Sequence, residues 1–269
     1  MKLKSQKGSI TIFVLVALLF FTSFLILMYA ASTNKSVAIK EKSDILKGIY
    51  EKNTSEESIN NFQKKKIAQH NEEIENRKLP SEYQRVEYIE STGTQYIDTG
   101  IKLDSNSIGE IDFQITESGS YNIFGSRSSA TENSFQAISS NRDGLLAADF
   151  QNYQINRLSE APNFSRNIIK ISNKYIEIND NKQIVQNYTE FETPYNSYIF
   201  NVSGNHATGY DLAKMKLYTF KLWKNNNLVR NFIPCYRKSD NKPGLYDLAN
   251  NEFYTNQGTG EFVVGPDVD

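Results

Sequence analysis

Residues 214–237 read "KMKLYTFKLWKNNNLVRNFIPCYR", and they decide the class of fold. Lys214–Trp223 is apolar on both alternating parities, the pattern of a central strand in a sandwich. In plain alternation Trp223 shares a face with Thr219 and Lys221, while Tyr218, Phe220 and Leu222 take the other. The asparagines after Lys224 make a turn, and "LVRNFIPCYR" (228–237) returns as the next strand. Similar units lie on both sides. Ile111, Phe113 and Ile115 alternate with Glu110, Asp112 and Gln114. Tyr175–Ile178 leads through Asn179-Asp180-Asn181 into Gln183–Val185, and "GLYDLANNEFYTN" (244–256) doubles back at Asn250-Asn251. No 10–15-residue helical pattern separates these strands, which excludes a βαβ protein. Residues 81–269 therefore read as a mainly β domain, a two-sheet sandwich of jelly-roll type.

The chain upstream has a different character. "MKLKSQKG" carries Lys2, Lys4 and Lys7 and no acid, and Ser9–Ala30 has no charge. As a helix those 22 residues would be about 33 Å long, enough to cross a bilayer core. The lysines place residues 1–8 inside, as a cytoplasmic tail, and the remainder outside. Ala30-Ala31-Ser32 offers a small-residue cleavage site, so a signal peptide competes with a retained anchor. Residues 31–80 read as a charged helical stalk of about 70 Å. Ile45/Ile49 and Leu46/Tyr50 are i,i+4 pairs, and Thr54-Ser55-Glu56-Glu57 restarts a second helix as a capping box. Ile59, Phe62, Ile67 and Ile74 have helical but not heptad spacing, so homo-oligomer contacts through the stalk have only weak support. Glu73 and Arg77 form a favourable pair, and Pro80 stops the helix.

Composition narrows the function classes. Net charge is −1, so no basic field points to nucleic acid. Two His and one Cys exclude a Cys/His zinc site built from this chain alone, and the lone Cys235 excludes an internal disulfide. His70 falls in the stalk and His206 in a loop, so no His-based triad assembles.

Two resemblances extend the reading. "LPSEYQRVEYIESTGTQYIDTG" (79–100) and "LWKNNNLVRNFIPCYRKSDNKPGLYDLANNEFYTNQGTGEF" (222–262) resemble a module of bacterial and phage surface proteins that is similar to the concanavalin A/laminin G-like jelly roll. The resemblance covers nearly all of residues 79–265 and is specific at both ends. It implies a jelly roll whose first strand is Val86–Glu90, with a turn at Ser91-Thr92-Gly93 and a second strand at Thr94–Asp98. It also implies recognition of a glycan or a surface protein, for adhesion. "KGSITIFVLVALL" (7–19) resembles the N-terminus of type IV pilin-like and Tad-type proteins, which implies a place in a pilus. Phe13 stands where those proteins usually carry Glu.

Site chemistry is thinner. "EIDFQ" (110–114) resembles the E-I-D-x-E strand of some jelly-roll glucanases, but Gln114 has no proton for the general-acid step. A polysaccharide-active enzyme is therefore the weakest class, and no catalytic residue is assigned. "DSNSIG" (104–109) begins like an EF-hand loop and fails at Ile108 and Ile115, leaving structural calcium without a motif and no cofactor implied. Three residues remain as ligand-binding candidates: Trp223, the single tryptophan; Asp149, a charge in "LLAADF" expected on a solvated sheet face; and Arg127, expected in the polar loop 126–134.

Overall fold

The computed structural model describes residues 6–53, 56–129, 132–140, 145–151, 153–155, 164–204 and 211–268. The chain divides into two compact units, one to Lys65 and one from Lys66. It is mainly β, with 47% strand and 24% helix.

Helix α1 (Gln6–Asn53) is continuous over 48 residues, with no break at Ala30 where the apolar run ends. Its few hydroxyls do not disturb it. Thr22 donates to the Leu18 carbonyl at 2.9 Å, Ser23 to Leu19 at 2.8 Å and Thr33 to Tyr29 at 3.0 Å. These three hydroxyls return their protons to the helix's own backbone, so they leave no donor unmatched on its surface. Thr54 and Ser55, the expected capping residues, lie outside the described residues, and α2 (Glu56–Glu75) starts just after them.

The second unit begins inside α2 and continues as strands. In chain order these are β1 (Tyr83–Arg85), β2 (Ile89–Thr92), β3 (Ile97–Asp104), β4 (Ser107–Ile115), β5 (Tyr121–Arg127), β6 (Ser134–Ser140), β7 (Leu145–Gln151) and β8 (Tyr153–Ile155). Next come β9 (Arg166–Ile171), β10 (Tyr175–Ile178), β11 (Asn181–Ile184), β12 (Glu192–Ile199), β13 (Ser203–Gly204) and β14 (Asp211–Leu212). The last are β15 (Lys214–Lys224), β16 (Asn227–Arg237), β17 (Lys242–Asp247), β18 (Glu252–Tyr254) and β19 (Val263–Val264). One sheet runs β11-β10-β9-β4-β15-β16-β17-β18, with β2 on the first half of β15, β19 on β2, and β1 on β16. The other runs β3-β12-β5-β6-β7-β8, with β13 and β14 parallel to β5. All other described pairings are antiparallel.

The sheets face each other across one apolar core. Phe113, Phe220 and Phe232 come from the first sheet, and Phe124, Phe135 and Phe150 from the second; all six are fully buried. Phe124 meets Phe220 edge to face at 5.3 Å between ring centres. Each such ring contributes roughly 1.5–3 kcal/mol by leaving water. The hairpin β15–β16 closes on Asn225-Asn226, with φ of 51° and 64°, the two left-handed positions of a type I′ turn. The expected hairpins β10–β11 and β17–β18 are both present.

Strand β15 departs from plain alternation. Its pairing with β4 skips Tyr218, since Leu217 lies opposite Phe113 and Thr219 opposite Asp112. The extra residue is a β-bulge, and it exchanges the inward parity: Met215 and Leu217 point into the core before it, Phe220 and Leu222 after it. Tyr218 therefore does not share a face with Phe220. The two apolar parities read in the sequence are one inward face, shifted by one residue.

The opening and closing stretches of the second unit clasp each other. After β1, the strands of the opening stretch are Ile89–Thr92 and Ile97–Asp104, later than the sequence reading placed them, with residues 93–96 as the connection. Buried Gln95 organises that connection: its Oε1 accepts from Thr92 N at 2.8 Å, and its Nε2 donates to Glu261 O at 3.2 Å. Thr94 O accepts Thr259 N at 3.0 Å, and Gln257 N donates to Tyr96 O at 2.9 Å. Gly258 passes so close to Thr94 O that a Cβ there would overlap it.

The stalk ends differently from the sequence reading. α2 stops at Glu75, five residues before Pro80. Arg77 does not reach back to Glu73; its Nη1 donates to Leu248 O at 2.9 Å and Ala249 O at 2.8 Å. Ile74 is buried beside Leu228, Ile233, Cys235, Tyr246 and Leu248, on the side of the first sheet away from the main core. Asn71 brackets the β15–β16 turn, accepting from Leu228 N at 2.8 Å and donating to Asn226 O at 2.9 Å. A head beginning at Ser81 would lose all of these contacts. Ile74→Ala should destabilise the unit from Lys66 by about 2–5 kcal/mol in urea unfolding. Ile59→Ala, at an exposed stalk position, should shift it by less than about 0.5 kcal/mol.

Candidate functional site

Alternation along β6 and β7 sends Phe135, Ala137, Ala148 and Phe150 into the core. The residues between them must face away. Register then sets Gln136 opposite Asp149 and Gly125, and Arg127 opposite Ser134. Three adjacent strands thus bring Arg127, Gln136 and Asp149 together on the outer face of the second sheet. They are 4%, 4% and 7% exposed, which is unusual for such side chains.

Gln136 Nε2 donates to Asp149 Oδ2 at 2.6 Å. The other acceptors of this pair, Gln136 Oε1 and Asp149 Oδ1, are buried and meet no hydrogen-bond donor among the described residues. Leaving a buried acceptor unmatched costs about 1–3 kcal/mol. Burial pushes the Asp149 carboxyl up to about 6, against the opposing effects of the Gln136 hydrogen bond and the Arg127 charge. The arrangement therefore holds a guanidinium, an amide and a carboxylate in one place, with acceptor capacity to spare.

Two of the three sequence candidates meet here, neither where it was expected. Arg127 is the buried last residue of β5 rather than part of a polar loop. Asp149 is on the outer face, as the alternation was read, but its side chain is buried there rather than solvated. Trp223 belongs to the other sheet. It is half-buried against the Ile74 and Leu228 cluster, with Lys170 Nζ 5.2 Å from its ring centre. Gln136 was missed in the sequence. Its parity in "SFQAISS" was readable, but nothing there marked it apart from its serine neighbours.

The remaining motifs are occupied by their own surroundings. Glu110 pairs with Lys170 Nζ at 2.8 Å. Asp112 accepts two hydrogen bonds from Arg166, from Nε at 2.8 Å and from Nη2 at 2.7 Å. Gln114 Oε1 accepts from the Tyr218 hydroxyl at 2.9 Å. The outward side chains of "EIDFQ" are thus tied laterally to β9 and β15, while Ile111 and Phe113 face the core. Asp104 accepts from Asn106 N at 2.9 Å, Ser107 Oγ at 2.8 Å and Lys224 Nζ at 3.0 Å, so its oxygens serve its own turn and a cation from β15. Among the described residues no group of three or more His, Cys, Asp or Glu side chains could hold a metal. His70 is exposed on α2, and His206 lies outside the described residues. Cys235 is buried, and burial pushes its thiol up to about 12, which keeps it protonated and unreactive. A groove of ≈ 690 Å³ opens along the coil after α2, between Arg77, Lys78, Arg85 and Lys221; Arg77 and Lys221 are already engaged there, by the carbonyls of residues 248 and 249 and by Glu75.

Comparison with known proteins found no matching family model and no matching curated protein.

The raised Asp149 pKa has a thermodynamic consequence. The folded chain keeps this proton up to about pH 6, whereas an unfolded aspartate loses it near its ordinary value of 3.8. Between those values the folded state binds more protons, so the contribution of this group is most favourable below about pH 4 and is lost as pH rises through 6. The full difference is about 3 kcal/mol. Asp149→Asn should remove that part of the slope. Urea unfolding of the two proteins at pH 4.5 and pH 8 reads it as a flatter pH dependence in the variant.

Proposed function

We propose that this chain is a membrane-anchored surface protein whose head, a concanavalin A-like jelly roll, serves adhesion by recognising a glycan or a surface protein. The observation that carries the anchor is the surface of α1. From Ile12 to Tyr29 it is an uncharged, apolar cylinder with a mean hydropathy of 2.7, and Phe13 and Phe20 are each 77% exposed. An apolar surface of that extent is not stable in water, and a bilayer satisfies it. The lysines before it favour an orientation with the head outside. The two facing sheets and the clasped ends support the jelly-roll assignment, and the polar cluster on the second sheet supports recognition.

A second reading, a minor pilin-like subunit, draws on a separate observation. α1 runs 48 residues without interruption, about 72 Å, more than twice what a bilayer core needs. A helix that long is suited to packing lengthwise in a filament.

Cell fractionation tests the first reading. The full chain should remain with membranes through carbonate extraction. External protease on intact cells should release a fragment containing the strands from β1 onward. Sequencing of the mature N-terminus separates the alternatives. A chain that keeps its basic leader supports the anchor, one starting at Ser9 supports the pilin, and one starting near Ser32 replaces both with a secreted head.

A further inference from the structure

We infer that Arg127, Gln136 and Asp149 form a binding site for a neutral saccharide on the outer face of the β5–β6–β7 sheet. The inference rests on the recognition reading above and names the ligand class and the residues. Its starting point is the pair of buried acceptors, Gln136 Oε1 and Asp149 Oδ1, which have no donor among the described residues. A ligand that completes them must bring protons.

Charge eliminates the simpler candidates. An anion would be repelled by Asp149, which sits at hydrogen-bond distance from Gln136 in the middle of the cluster. A calcium ion needs six to eight oxygens, whereas this cluster has one carboxylate with a guanidinium close enough to lower its pKa. A neutral hydroxyl fits both halves, because it donates one proton and accepts from others. Two neighbouring hydroxyls on a sugar ring can donate to Asp149 and Gln136 and accept from Arg127.

The surroundings agree. Ala147, on the same face two residues before Asp149, is only half-buried, so the face meets solvent beside the carboxylate. Gly204 pairs with Arg127, and Tyr195 packs against it where a side chain would not fit. That tyrosine is half exposed, which places an aromatic surface at the edge of the polar cluster. Apolar sugar faces stack on such rings while the hydroxyls are bound laterally.

The test uses the full-length protein in detergent on an array carrying neutral, sialylated and sulfated oligosaccharides. The native chain should retain neutral glycans. Asp149→Asn and Arg127→Lys should each weaken retention by about tenfold or more, the usual effect of losing a hydrogen bond to a charged group. Trp223→Phe, on the other sheet, should bind as the native chain does. Melting curves for each variant show whether the fold is kept, and the lysine variant decides if the asparagine variant does not fold. Undiminished binding by well-folded Asp149→Asn and Arg127→Lys overturns the site, as does retention confined to sialylated or sulfated glycans. A native chain that retains no glycan, while cells displaying it still adhere to immobilised surface proteins, overturns the site and leaves the recognition reading standing.

Discussion

The bulge at Tyr218 is the constraint on which the head depends. β15, with β16 one of the two longest strands of the first sheet, is paired with β4 along its length and with β2 and then β16 on its other side. A strand with fixed alternation could not bury Met215 and Leu217 together with Phe220 and Leu222. One extra residue resolves this by reversing parity half-way, close to where the second partner changes from β2 to β16. It also turns Tyr218 outward, where its hydroxyl reaches Gln114, its ring lies 3.9 Å below the Arg166 guanidinium, and its edge meets Tyr88. The outer face of β4, β9 and β15 is thereby tied laterally as the inner face is packed.

Sequence patterns revealed the elements better than their exact partners. The hairpins were legible because asparagine accepts left-handed φ and marks a turn locally. The two motif-bearing ends were legible as a pair, and the Gln95 and Thr94 contacts with residues 256–261 show why: each end is the other's hydrogen-bond partner. Three features were hidden. A bulge leaves no local signal beyond apolar residues on both parities, which a strand buried on both faces shows equally well. The end of α2 was assigned to Pro80, the strongest local breaker, but burial of Ile74 and the contacts of Arg77 with residues 248 and 249 decide it, and these come from 150 or more residues away. Asp149 has the parity of an outward residue and is one; whether an outward residue meets water depends on what covers that face.

Two buried aspartates show how the cluster differs from ordinary structural polarity. Asp247 is completely buried, yet its Oδ1 accepts from Asn231 N at 2.8 Å and Ala249 N at 2.9 Å, and Arg230 Nη1 lies 3.6 Å from Oδ2. Those bonds fix the β17 end against β16; Oδ2 makes no hydrogen bond among the described residues, but the carboxylate as a whole has a structural role. Among the described residues Asp149 caps no backbone N–H, and its one hydrogen bond goes to another side chain, Gln136, which itself keeps an unmatched oxygen. Burial raises the carboxyl pKa of both residues, but only the first gains local backbone order in exchange. A stability cost without a structural return is the pattern expected of a site shaped for another molecule.

The junction between stalk and strands adds a mechanical side to the anchored reading. α2 does not end in a free linker. Asn71, Ile74, Glu75 and Arg77 grip four parts of the first sheet region: the β15–β16 turn, the apolar cluster on its outer side, Lys221, and the carbonyls of residues 248 and 249. Tension applied to the helix is divided among these contacts, two of which are made directly to strands β15 and β16. Lys221 and the turn both belong to the β15–β16 hairpin, whose strands carry the most pairing partners of their sheet. Force therefore enters the head where backbone hydrogen bonds are densest, while the Arg127–Gln136–Asp149 face lies on the opposite sheet. A head held in this way can be pulled by its stalk without the load passing first through the strands that would hold a ligand.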